Sequence, residues 1–311
     1  MVHVQTPPPT EASQEQIIWL AGPRLIGLLF NWGLLGVLTT QVYIYHVNFP
    51  KDKWTLKFLV YFVYVLDWVQ TCSATYDAFQ WFVYGWGSVP ALFLRYTGFL
   101  NVPALGSIIG AIVQIFYGWR IWAFSRSRFI FLLVCVLALL QLAGGLAQSY
   151  FMFNDAMETA RHAYTNKAMG IRLGGGAVVD TLICVAMIYY LLRGRAQALG
   201  PVNNFMSRLA RLSLETGTMT VVAAIIDFLF YLKETNGLHQ VTGVILCKLY
   251  SNSLMMLFNN RLVFENWDVH DDDDSGRGVA VRVEGTRRAQ VEKFAVRRSV
   301  DQESRTTGRS E

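Results

Sequence analysis

The sequence predicts an all-α, polytopic membrane protein: a seven-transmembrane-helix bundle with its N-terminus outside and its C-terminus in the cytoplasm. Three observations carry this. Mainly apolar stretches of about 20 residues, enough to cross a hydrocarbon core roughly 30 Å thick, recur along the 311-residue chain. The gaps between them are short, which makes sequential helices antiparallel neighbours in one bundle. The surplus Lys and Arg fall in alternate gaps, the signature of cytoplasmic loops.

The first stretch, Leu25–Tyr45, is followed by a gap holding Lys51, Lys53 and Lys57 against Asp52. The second, Phe58–Phe82, is followed by a gap with Arg95 alone. After the third, Phe99–Trp119, come Arg120, Arg126 and Arg128 with no acid. The fourth, Phe129–Phe153, leads to a balanced gap in which Asp155 and Glu158 offset Arg161 and Lys167. The fifth, Ala168–Leu192, precedes Arg193, Arg195, Arg208 and Arg211. The sixth, Leu212–Leu232, precedes Lys233 and Glu234. The seventh, Val241–Phe258, is the weakest, being short and carrying Lys248, Ser251 and Asn252. The basic gaps face the cytoplasm, so an odd number of crossings puts Arg261 and the tail inside.

Residues 1–21 read as a disordered extracytoplasmic tail, 22–261 as the transmembrane domain and 262–311 as a disordered cytoplasmic tail. The last contains Asp271–Asp274 and a basic Ser/Thr-bearing segment in which Ser299 follows two arginines. The net charge of +5 belongs to short loops at an anionic leaflet and not to a nucleic-acid surface. Pro7, Pro8 and Pro9 stand where a cleavable signal would begin basic, so the first helix reads as a signal-anchor. The plasma membrane is favoured over an internal one. Cys72, Cys135, Cys184 and Cys247 all fall inside apolar stretches and read as packing residues.

Ionisable groups inside a span cost about 2.5–3.5 kcal/mol each, so they face the bundle interior and need partners. Asp67, with Gln70 and Thr71 on one face, Asp180 and Lys248 count to similar depth near the midplane. Asp227 shares a face with Thr216 and Thr220; Lys248, Asn252 and Asn259 form a stripe. Glu215, Asn259 and Arg261 mark the cytoplasmic end. Lys248 is expected to pair with Asp67, or with Asp180, either as a clamp between helices or as part of a polar cavity. Gly106 and Gly110, Gly144 and Gly145, and the run Gly174–Gly176 permit close helix approach, with Gln141 and Gln148 bonding across. His46, His162 and His239 lack the spacing of a metal site, and no Gly-x-Ser-x-Gly elbow is present, so neither an enzyme nor a cofactor is expected.

Several segments together resemble an uncharacterised family of seven-helix membrane proteins of mushroom-forming fungi, a domain of unknown function. They are Gly22-Pro23 with Asn31-Trp32-Gly33, Phe49-Pro50-Lys51-Asp52, Gln114 with Tyr117-Gly118-Trp119-Arg120, and Leu173-Gly174-Gly175 before Asp180. The most specific are Arg211-Leu212-Ser213-Leu214-Glu215-Thr216-Gly217 and Lys248-Leu249-Tyr250-Ser251-Asn252-Ser253 before Asn259-Asn260-Arg261. The resemblance covers residues 20–261 and implies architecture and receptor-like topology, not an activity. Cys247 stands where a glycine is expected.

Three functional readings follow. The first is a receptor-like or sensory bundle that binds a small hydrophobic or amphipathic ligand among its helices and meets a cytoplasmic signalling partner at its inner loops or tail. The second is a small-molecule or ion transporter or channel. The third is a retinal-binding protein with Lys248 as the Schiff-base lysine and Asp67 as counter-ion.

Overall fold

Apolar periodicity without strand alternation gives helices throughout the described part of the chain. The computed structural model describes residues 14–86, 88–94, 96–154, 159–197, 201–233 and 238–261. Its long helices are α1 (Gln14–Asn48), α2 (Trp54–Phe79), α4 (Ser107–Ser125), α5 (Arg128–Asn154), α6 (Thr159–Gln197), α7 (Pro201–Leu232) and α8 (Leu238–Asn259), with a five-residue helix, α3 (Val89–Phe93), after α2. No strand occurs among the described residues. Six helices are long and apolar enough to cross a membrane: α1, α2, α4, α5, α6 and α8. In α7 the apolar segment among the described residues is shorter, Gly217–Leu232. The sequence marks the last stretch as the weakest, yet Val241–Asn259 qualifies; Lys248 is offset by a partner rather than by shortening the span. The chain is thus a multi-pass helical membrane protein.

Several helix ends differ from those expected. α1 begins at Gln14, so helix takes in residues 14–21, which the sequence assigns to an unstructured tail, and Pro23 lies inside it. The apolar residues Ile17, Ile18 and Trp19 extend the helix beyond the proline. α6 and α7 likewise run past Ala168–Leu192 and Leu212–Leu232. Helix formation does not stop where hydrocarbon-compatible composition stops, so apolar length locates a span and not its ends.

Two π-helical segments break the regular pattern. Gln80–Tyr84 extends α2, and Leu100–Gly106 leads into α4 and contains Pro103. At the first, Gly85 N–H donates to Gln80 O. A Cβ at Gly85 would meet Ala91 Cβ at 2.5 Å and Gln80 O at 2.9 Å, so the chain turns only with glycine there.

The helices form a ring in chain order. α1 packs on α2 and α8, and the closed circuit continues through α4, α5, α6 and α7. α4 also touches α6 and α8, and α4 and α8 are the most enclosed. Large apolar side chains on α1, α2 and α5, among them Leu29, Phe30, Phe58, Leu132, Val136 and Leu139, point outward, as a lipid-facing surface requires. α1 and α8 run in the same sense: Asn252 bonds to the carbonyl of Leu34 and Asn259 to that of Gln41, each pair ascending along both helices. The helices lie within one compact unit that ends at Asn260.

Candidate functional site

A lysine inside an apolar helix must find an anion, and Lys248 finds Asp67. Its Nζ donates to Asp67 Oδ1 at 2.7 Å and to the backbone oxygen of Asp67 at 2.8 Å. Both side chains are 0% exposed. Thr71 Oγ1 donates to the same backbone oxygen at 2.9 Å and lies 3.2 Å from Asn31 Oδ1, which ties α1 to the pair. One turn along α8, Asn252 Nδ2 donates to Lys248 O at 2.8 Å and to Leu34 O at 3.2 Å. The predicted stripe Lys248, Asn252 and Asn259 is therefore a seam against α2 and α1, finishing with Asn259 Nδ2 donating to Gln41 O at 2.8 Å.

Asp180 is not a partner of Lys248. Tyr250 Oη donates to its Oδ2 at 2.6 Å and Gln114 Nε2 to its Oδ1 at 2.8 Å. Lys248 and Tyr250 are separated by a rise of about 3 Å along α8. They point to different sides of the helix, so Asp67 and Asp180 end on different partners. Asp227 forms a third centre, accepting from Thr242 Oγ1 at 2.6 Å. Gln70 Nε2 donates to the backbone oxygen of Asn101 in the π-helical segment at 3.3 Å. The side chain of Glu215 lies outside the described residues, and Arg261 is the last of them.

Close packing at Cys247 is preserved by a trade. A Cβ on Gly106 would stand 2.4 Å from Cys247 Sγ, so a glycine at the end of the second π-helical segment makes room for the thiol where glycine was expected on α8. Gln148 bonds across as expected, accepting from Arg172 Nε at 2.9 Å.

One buried carboxylate escapes sequence reasoning. Asp77, 1% exposed, accepts from Thr97 N and Thr97 Oγ1, each at 2.7 Å, and from Asn101 Nδ2 at 3.0 Å. Arg24 stacks 4.2 Å over the ring of Trp81 and donates to Leu92 O. Together these hold the connection between α2 and α4 against the bundle. The clue in the sequence was Asp77 itself, an acid continuing the face of Asp67 and Gln70 one helical repeat further on.

Lys248 does not line the cavity beside it, whose walls include Cys247 and Tyr250, and that cavity measures about 20 Å³. This is room for a water molecule. The Lys248–Asp67 pair joins α8 to α2, and Asp67 Oδ2 is buried without a hydrogen-bond partner in the protein.

Residues 176–262 match the model of a family of unknown function, DUF6534, a stretch that contains Asp180, Asp227, Lys248, Tyr250 and Asn252. No curated protein and no solved structure matches the chain. What the chain resembles, over its last three helices, is a family of unknown function.

Proposed function

We propose that the chain crosses the membrane seven times, with an outer N-terminus and an inner tail, and acts as a receptor-like or sensory bundle. The seventh crossing is α7. Helices that run in the same sense and occupy the first and last positions need an odd number of crossings, and α1 and α8 meet that condition. The alternating basic gaps supply the orientation.

The observation that carries the sensory reading is the position of α8. Within Thr242–Asn259 it bonds to Asp227 on α7, Asp67 on α2, Asp180 on α6, Gln114 on α4 and carbonyls of α1. A central helix tied to five others passes a displacement at one end of the bundle to the other, provided two arrangements of those bonds exist. The ligand is a small hydrophobic or amphipathic molecule, and the partner a cytoplasmic signalling protein at the inner loops.

The test is nucleotide exchange on heterotrimeric G proteins by the purified chain in nanodiscs, alongside mass analysis of small molecules that co-purify. Accelerated exchange, or a stoichiometric bound compound, supports the proposal. Neither, together with ion or solute flux in liposomes, replaces it with a transporter.

A further inference from the structure

Polar atoms in a close-packed bundle find partners or water. Where α4, α5, α6, α7 and α8 meet, the cavity of about 20 Å³ is walled by Ser107, Gln141, Arg172, Gly176, Gly243 and Tyr250 among others. Ser107 Oγ and Gln141 Oε1 are buried and have no hydrogen-bond partner in the protein. Arg172, 9% exposed, uses Nε on Gln148 and makes no other hydrogen bond among the described residues.

Asp227 on α7 does not itself line this cavity, and no ion pair joins it to Arg172 among the described residues. Asp227 Oδ1 is taken by Thr242, whereas Oδ2 is buried without a partner. A Cβ placed at Gly243, on the cavity wall, would stand 3.5 Å from that oxygen.

We propose that this cavity is a built site for one ordered water. The water accepts from Arg172 Nη and Ser107 Oγ and donates to Gln141 Oε1, which joins α4, α5 and α6. Size and wall chemistry both select it. A water needs roughly 10–15 Å³ of such space and two to four polar partners; the walls offer donors and acceptors in near balance. A halide fits the volume, but the Gln141 Oε1 on the wall would face it with its negative end. The site stands whether or not the chain is a receptor.

The sign of one stability change decides between wet and dry. In a dry cavity, Ser107→Ala removes an orphaned hydroxyl and raises the melting temperature; in the hydrated site it removes a bond to the water and lowers it by a few degrees. We expect Ser107→Ala to lower the melting temperature of the chain in nanodiscs relative to the unsubstituted chain. A high-resolution map should carry a density peak within hydrogen-bond distance of Arg172, Ser107 and Gln141, and exchange of chloride for gluconate should leave the melting temperature unchanged. A rise or no change for Ser107→Ala, or no density peak, overturns the proposal; dependence on chloride overturns it in favour of an anion.

Discussion

Removing one member of a buried ion pair leaves the other charged and unsolvated, which costs about 3–5 kcal/mol, whereas replacing both with apolar groups is often close to neutral. Lys248→Met alone is therefore expected to destabilise the protein by that amount, and Asp67→Leu with Lys248→Met to restore most of it. Denaturant unfolding in a defined micelle reads both. A double variant as unstable as the single one would show that the pair does more than clamp. Because Lys248 Nζ is held twice by Asp67, added retinal is expected to give no red-shifted visible band. Tyr250→Phe leaves Asp180 with Gln114 alone and should cost about 1–3 kcal/mol by the same measurement. The Lys248–Asp67 pair was legible because a lone intramembrane cation needs an anion. The partners of Asp180 were not, since neutral donors such as Gln114 and Tyr250 occur on every helix and carry no sign to match. Asp77 was passed over because a carboxylate near a helix end ordinarily reaches water, and here the folded connection covers it.

Between elements, glycine decides how near two helix axes come. A Cβ at Gly145 on α5 would fall 1.9 Å from Ser107 Oγ and 2.7 Å from Pro103 O, so Gly145→Ala must push α5 from α4. A loss of about 1–3 kcal/mol is expected. Gly36→Ala, with nothing within 4 Å, should be neutral or stabilising by up to about 1 kcal/mol, and thermal unfolding of the two variants side by side checks the contrast. The connection after α2 hangs on Asp77, so Asp77→Ala should raise amide hydrogen exchange at Thr97 and its neighbours while leaving α5 and α6 unchanged. Helix existence could be read from apolar length in all seven stretches; the π-helical turns could not. The second contains Pro103, which has no N–H to donate, and Gln70 from α2 reaches the carbonyl of Asn101 there. No periodicity in residues 100–106 announces them.

For the whole molecule, the same-sense pairing of α1 and α8 makes orientation testable with two insertion variants. A glycosylation acceptor inserted before Gln14 should be modified, and one inserted after Arg261 should not; the reverse pattern would invert the orientation, and modification at both ends would remove the seven-crossing topology. The seam also sets a schedule for biosynthesis. Asp67 and Lys248 are 181 positions apart. At translation rates of about 5–20 residues per second, the carboxylate enters the membrane roughly 10–40 s before its lysine exists. For that interval α2 has no intramolecular counter-ion, and the ring cannot close until the last helix has been made. Chains truncated anywhere before α8 are thus expected to be held by insertion machinery or degraded rather than released, so that the final helix acts as the cell's checkpoint for a finished molecule.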